Sequence, residues 1–255
     1  MKYLLSLLWI SLFTMLACSQ QEVTEDEPLE PITFVQKETF TDTLQHENGV
    51  DAIHTGGPSD NNGIRLMWHS HPQAHEIEYY TIYRSNHPEG LSFYQQVAVK
   101  YPGGPNIADT VFIDDSDVDL NRKYFYYVTC TNEANVESVP SDTVWYTVIE
   151  KAQLIFPNSE AVIDSLPVWF QWARQDYPDQ YILRIERFIT ETFHPLVYIK
   201  LIQSKYESPQ TELVNDWKPT AQDNGMYRWR IDCVGRNKLY EGSESIWRTF
   251  TLNLK

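Results

Sequence analysis

Cysteine is scarce: there are three in 255 residues, at positions 18, 130 and 233. An exported domain that relied on disulfide staples would carry more. Positive charge is scarce too, with 20 Lys and Arg against 35 Asp and Glu and a formal charge of -15. So acidic a body is a poor partner for nucleic acid, whose phosphates are held by Lys and Arg. It is equally poorly suited to anionic lipid headgroups. Past residue 17 no apolar run approaches the roughly 20 residues that cross a bilayer, and no stretch keeps a long 3.6-residue period, so helix should be minor. The sequence also lacks Gly-x-Ser-x-Gly, His-Glu-x-x-His, a phosphate loop and Cys-x-x-Cys. The chain therefore reads as a non-enzyme with no cofactor.

Aromatic side chains are abundant, with 16 Tyr, 11 Phe and 8 Trp, and Gly and Pro clusters recur at short spacing. Both features suit an all-β protein of many short strands. The first residues form a leader: Met1-Lys2-Tyr3, an apolar run from Leu4 to Leu16, then Ala17-Cys18. One positive charge, a short apolar run and a small residue make a secretory signal rather than a span. A cysteine directly after the small residue resembles the lipobox of bacterial lipoproteins. The resemblance implies cleavage before Cys18, lipid on that residue and anchoring to the cell envelope. Acyl chains, not surface charge, would do the anchoring. Only Lys2 among the charged residues lies in the leader, so the mature chain keeps 19 Lys and Arg against 35 Asp and Glu, a formal -16. Ser19 and the acidic residues Glu22, Glu25, Asp26 and Glu27 resemble the signals of outer-membrane and surface lipoproteins. An outer-membrane location is expected, with the periplasmic or surface face left open. Residues 18–48 are acidic and rich in Thr and Gln, as a self-repelling tether would be. Phe34, Val35, Phe40 and Leu44 leave room there for a short strand or docking segment.

The remainder repeats with a period near 103 residues. Leu66-Met67-Trp68 answers Phe170-Gln171-Trp172, Tyr80 to Arg84 answers Tyr181 to Ile185, Tyr124 to Cys130 answers Tyr227 to Cys233, and Ser141 answers Ser245. Trp68 and Tyr124 are 56 residues apart, and Trp172 and Tyr227 are 55 apart. Agreement of several landmarks in one order indicates a duplicated domain, here residues 49–150 and 151–255. Alternation puts Tyr227, Trp229, Ile231 and Cys233 on one face of a strand. Arg228, Arg230 and Asp232 fall on the other, read as a wet outer face. The same parity points Tyr124, Tyr126, Val128 and Cys130 inward in the first copy. Val168, Phe170 and Trp172 face a core, with Trp169 and Gln171 outward. Roughly seven such strands per copy suggest a two-sheet sandwich.

These residues resemble bacterial fibronectin type III domains. The resemblance rests on Trp68 of the second strand, the extended Tyr80-Thr81-Ile82-Tyr83-Arg84, and Tyr124-Phe125-Tyr126-Tyr127-Val128-Thr129-Cys130. In the second copy it rests on Pro157, Leu166-Pro167, Tyr227 to Ile231, and the run Gly242 to Phe250. It implies two immunoglobulin-like β-sandwiches in tandem after a lipoprotein signal peptide (1–17) and a lipidated tether (18–48). It says little about function, because the fold hosts many. Cys130 and Cys233 stand where that family has alanine, and they should be buried thiols in separate domains, too far apart to bond.

Three groups of residues carry candidate chemistry. His69 and His71 share a strand face and, with His75 or Glu76, could hold a metal. The alternative is a His-rich loop. Asp115, Asp117 and Asp119 alternate like the start of a calcium loop, but Leu120 replaces the required glycine and Tyr126 the closing Glu. A solvated connection with Val118 plugging the core explains that stretch better. Trp145, Trp169, Trp217 and Trp247 could stack on a sugar or anchor a protein, or else pack at the domain join. The reading reached is a non-catalytic envelope lipoprotein: a spacer, assembly subunit or protein-binding module. A glycan-binding lipoprotein is the alternative, and it predicts a flat aromatic row on one sandwich face or edge. A metal carrier or metalloenzyme built on the three histidines is the third. The expected partners are the membrane, through lipid on Cys18, and an envelope protein or glycan.

Overall fold

The computed structural model describes residues 28–37, 49–54, 62–103, 110–174, 176 and 178–255. The expected leader, Cys18 as the expected lipidation site and most of the expected tether lie outside these residues. Among the described residues, no helix is long and apolar enough to cross a membrane.

Seven strands make the first unit: β1 (Asp51–His54), β2 (Asn62–Met67), β3 (Ile77–Ser85), β4 (Gln95–Lys100), β5 (Val111–Asp114), β6 (Lys123–Asn132) and β7 (Val144–Val148). One sheet runs β1-β2-β5, the other β4-β3-β6-β7, all antiparallel. The inward parity read from the sequence holds. Tyr124, Tyr126, Val128 and Cys130 share one core with Ile64, Leu66 and Trp68.

The second unit repeats the plan with β8 (Gln153–Phe156), β9 (Ala161–Ile163), β10 (Val168–Ala173), β11 (Gln180–Arg187), β12 (Leu196–Gln203), β13 (Gln210–Val214), β14 (Gly225–Val234), β15 (Glu241–Glu244) and β16 (Arg248–Leu252). A three-stranded sheet, β13-β10-β8, faces β12-β11-β14. The last strand is split, so β15 and β16 pair opposite halves of β14. Phe170, Trp172, Tyr181, Trp229 and Phe250 fill this second core. Three strands against four, with this pairing, is the fibronectin type III-like sandwich, found twice.

The paired serines have a physical reason. Ser141 Oγ accepts the Val128 amide at 3.0 Å and donates to Asp142 O, while Ser245 Oγ accepts the Ile231 amide at 3.0 Å and donates to Ile246 O. Each hydroxyl satisfies backbone groups where the last strand departs from its neighbour. The paired tyrosines behave alike. Tyr124 OH donates to Asp117 O and receives the Asp119 amide, and Tyr227 OH donates to Asp223 O. Such a tyrosine bracing a corner is typical of these sandwiches.

Part of the segment read as a flexible tether belongs to the first sandwich. Leu29, Ile32 and Phe34 are buried in its core. Phe34 bridges to Trp68, and the Val35 amide donates to Met67 O at 2.9 Å. Three apolar side chains among acidic neighbours are enough to dock the backbone on the free end of the sheet.

The two sandwiches are joined edge to edge. β15 pairs parallel with β7, Glu241 opposite Thr147 and Gly242 opposite Val148, so the two larger sheets run on as one. The Thr147 amide donates to Tyr240 O at 2.9 Å and the Ile149 amide to Gly242 O at 3.1 Å. Above this seam lies a small polar cavity of about 30 Å³, bounded by Lys37, Asp51 and Tyr146 from the first unit and Arg184, Asp232 and Glu244 from the second. That arrangement corrects the expected wet face of β14. Arg230 and Asp232 do point outward from their own core, but they are buried, as are Arg184 and Glu244. Arg184 Nε meets Asp232 Oδ2 at 2.6 Å, Arg230 Nη2 meets Glu244 Oε1 at 2.6 Å, and Lys37 meets Asp51 at 3.2 Å. Three cations and three carboxylates balance, which is the condition for burying charge at tolerable cost. Tyr146 OH donates to Asp51 Oδ1 at 3.0 Å. Burial first, then the Asp51 charge, push that phenol well above its ordinary pKa.

Candidate functional site

The outer face of the β4-β3-β6-β7 sheet carries two groups of aromatic side chains. Strand alternation turns Tyr79, Thr81 and Tyr83 outward on β3, and Phe125, Tyr127, Thr129 and Thr131 outward on β6. Tyr83 sits opposite Tyr127 and Phe125 opposite Trp145 in the ladder, so like side chains meet across strands. Tyr83 and Tyr127 stack with ring centroids 4.6 Å apart, and Tyr94 tilts onto Tyr127 at 4.9 Å. Tyr94, Phe125 and Tyr127 are buried there, backed by Tyr83 and Trp145. At the seam Trp145 stacks on Tyr240 of the second unit at 4.6 Å, with Lys123 Nζ 3.8 Å above the Trp145 ring.

At its free end this face opens into a concavity of about 420 Å³, within the range of small-molecule sites. Tyr79, Tyr83 and Tyr101 supply rings; Gln96, Asn135 and Glu137 supply polar groups. Tyr79 and Tyr101 lie 5.8 Å apart at 58°, and Tyr101 is 65 % exposed. Glu137 Oε1 accepts Thr129 Oγ1 at 2.6 Å and Tyr83 OH at 3.4 Å. Burial, and then the nearby Glu137 carboxylate, raise the Tyr83 pKa, so this phenol stays a donor. Among the described residues that line the concavity, Glu137 is the one carboxylate.

Of the residues singled out from sequence, Trp145 belongs to the seam end of this face, and the others lie elsewhere and apart. Trp217 is buried in the second core, edge-on to Tyr227 and Phe250. Trp247 is half-buried under the guanidinium groups of Arg228 and Arg230, 4.2 and 4.7 Å from its ring centre. Trp145 packs at the seam. Only Trp169 is open, 52 % exposed on β10, across from Leu213. The histidines do not converge. His71 is buried, its Nε2 2.8 Å from Glu30 O and its Nδ1 accepting the Gln73 amide at 3.1 Å. These contacts fit a neutral ring with the proton on Nε2, and they clasp the 28–37 segment to the sandwich. His69 and His75 are exposed. Among the described residues, no three His, Cys, Asp or Glu are grouped to hold a metal. Asp115, Asp117 and Asp119 are exposed, with Val118 buried between them as the core plug.

Sequence reasoning passed over the tyrosine face. Its signal was present, since the outward set of β3 and β6 (Tyr79, Tyr83, Phe125, Tyr127) is as aromatic as the inward one.

No protein family and no curated protein matches this chain. Among solved structures it is similar to the β-1,2-glucanase from Parabacteroides distasonis, at 23% identity and a TM-score of 0.33, over 49% of this chain and 13% of that one. The FN1-FN3 domains of chicken CNTN1 align at 12% identity and a TM-score of 0.35, over 88% of this chain and 69% of that one. The pectate lyase Pel3 from Pectobacterium carotovorum aligns at 16% identity and a TM-score of 0.26, over 46% and 32%. None of these likenesses bears on ligand or reaction.

Proposed function

We propose that the chain is an exported lipoprotein, anchored to the bacterial outer membrane by lipid on Cys18, that serves as a non-catalytic spacer and binding module. The observation that supports this most is the seam. A flexible string of binders needs no shared sheet, whereas β7 paired to β15 over a buried, charge-balanced cluster makes one stiff body. Stiffness suits a part that holds a binding face at a fixed distance or docks into an assembly. The leader and Cys18 supply the address. The experiment is membrane fractionation of cells labelled with a palmitate analogue. Label and membrane association in wild type, both lost in Cys18→Ala, are expected. An unlabelled wild type, or a variant that partitions like it, would overturn the anchor.

The tyrosine concavity favours a second reading, in which the module binds a glycan. It offers tilted tyrosine rings, not a flat row, with amide and carboxyl groups beside them.

A further inference from the structure

We infer that the concavity of Tyr79, Tyr83 and Tyr101 takes a neutral oligosaccharide, a class chosen by the charge and rigidity of its walls; the inference rests on the glycan reading above.

Three observations carry it. First, the rings present faces rather than a closed box. Tyr79 and Tyr101 meet at 58°, with Tyr101 mostly in solvent, so each leaves a face for the C–H side of a pyranose. Second, the Tyr83 wall is fixed before any ligand arrives. Tyr83 is stacked on Tyr127, which Tyr94 and Phe125 hold from behind, so little side-chain freedom is lost on binding. Third, hydroxyl-matching groups of both senses lie in the same hollow. Gln96 and Asn135 donate and accept, and Thr81 and Thr131 line the floor. Both bonds of Glu137 end on Oε1, leaving Oε2 to accept from sugar hydroxyls.

Charge selects among glycans. Among the described residues no Lys or Arg lines the concavity and Glu137 is its one carboxylate, and the chain carries a formal -15. A uronate or sulfate would meet a carboxylate and no counter-charge, which penalises acidic chains. A quaternary ammonium is the competing occupant for tyrosines beside an acid. It needs rings closing around one point, and this hollow is open with amides in its wall.

The test is titration calorimetry of the purified full chain against neutral hexose oligosaccharides of four to six units (β-glucan, α-glucan, mannan, galactan). Oligogalacturonate and choline are run alongside. Saturable binding of at least one neutral chain, weakened at least about tenfold by Tyr79→Ala and by Tyr101→Ala, is expected. Glu137→Gln should weaken it less. Trp169→Ala, on the other sandwich, should leave it unchanged. All four variants should melt as wild type does. Binding that survives both tyrosine changes but falls with Trp169→Ala overturns the site while keeping the glycan reading. Preference for oligogalacturonate or choline overturns the ligand class. No binding of any neutral chain, in a protein that still labels with palmitate and stays in the membrane, overturns the inference and the glycan reading together and leaves the anchored spacer standing.

Discussion

Gly242 is where the seam is most easily broken. It lies on β15 opposite Val148, and its backbone is not in the left-handed region, so the obstacle to a side chain is space alone. A Cβ there would sit 2.6 Å from Cys233 O and 2.8 Å from Tyr146 OH. Neither can step aside cheaply. One is a strand carbonyl, and the other is a buried phenol tied to Asp51 at 3.0 Å. In Gly242→Ala, β15 must move off β7, which loosens two hydrogen bonds, Thr147 to Tyr240 and Ile149 to Gly242. Overpacking costs about 1–3 kcal/mol and each lost bond about 0.5–1.5 kcal/mol. The expected loss is therefore about 2–6 kcal/mol. Calorimetry should show one transition in wild type and two in the variant. Small-angle scattering should show a larger radius of gyration as the units swing apart. A Gly242→Ala protein that melts in one transition within about 1 kcal/mol of wild type, with the same scattering curve, would refute the seam.

Three further outcomes follow from the structure. Asp114 is buried with Arg84 at 2.9 Å and Tyr126 OH at 2.8 Å, so Asp114→Ala takes the Tyr126 phenol's acceptor away and leaves Arg84 on the Ser116 carbonyl, and should cost about 1–3 kcal/mol in urea unfolding. His71→Ala removes the clasp on Glu30 and should expose the 28–37 segment to limited proteolysis, while the tryptophan emission of the second unit stays as in wild type. Burial lifts the Cys233 thiol to about 12 and drives Tyr126 and Tyr146 upward as well. These groups stay protonated in the folded chain after the unfolded chain has released its protons. Their stabilising effect is full below the ordinary thiol and phenol pKa and is lost as pH rises toward 12, by up to about 1.4 kcal/mol per pH unit for each group. Melting temperatures flat from pH 9 to 11 would contradict this.

The fold was legible because it rests on local signals. Alternation along Tyr227 to Cys233 and along Tyr124 to Cys130 gave the inward faces. The repeated spacing of Trp, Tyr and Ser gave two copies, and the serines proved to hold the same strand departure twice. What failed was tertiary. Arg228-x-Arg230-x-Asp232 reads as a solvated face, and nothing local announces that Lys37 and Asp51, far earlier in the chain, will cover part of it. The β7–β15 pairing joins backbone edges with no side-chain signature. Leu29, Ile32 and Phe34 were diluted by acidic neighbours, yet three buried side chains dock a segment whatever lies between them. The candidate site was missed for another reason. Tryptophan, the largest ring, is the loudest aromatic signal in the sequence, yet Trp145, Trp217 and Trp247 are taken up by packing.

The claim that this protein binds rather than catalyses is met most directly by affinity capture from native membranes, with wild type and Cys18→Ala compared and co-purifying molecules identified by mass spectrometry. The account predicts a defined envelope protein or glycan that stays with the membrane-bound wild type in stoichiometric amount and is not chemically altered by it. Equal partitioning of the two variants with nothing retained, or a captured molecule converted to product, would contradict it.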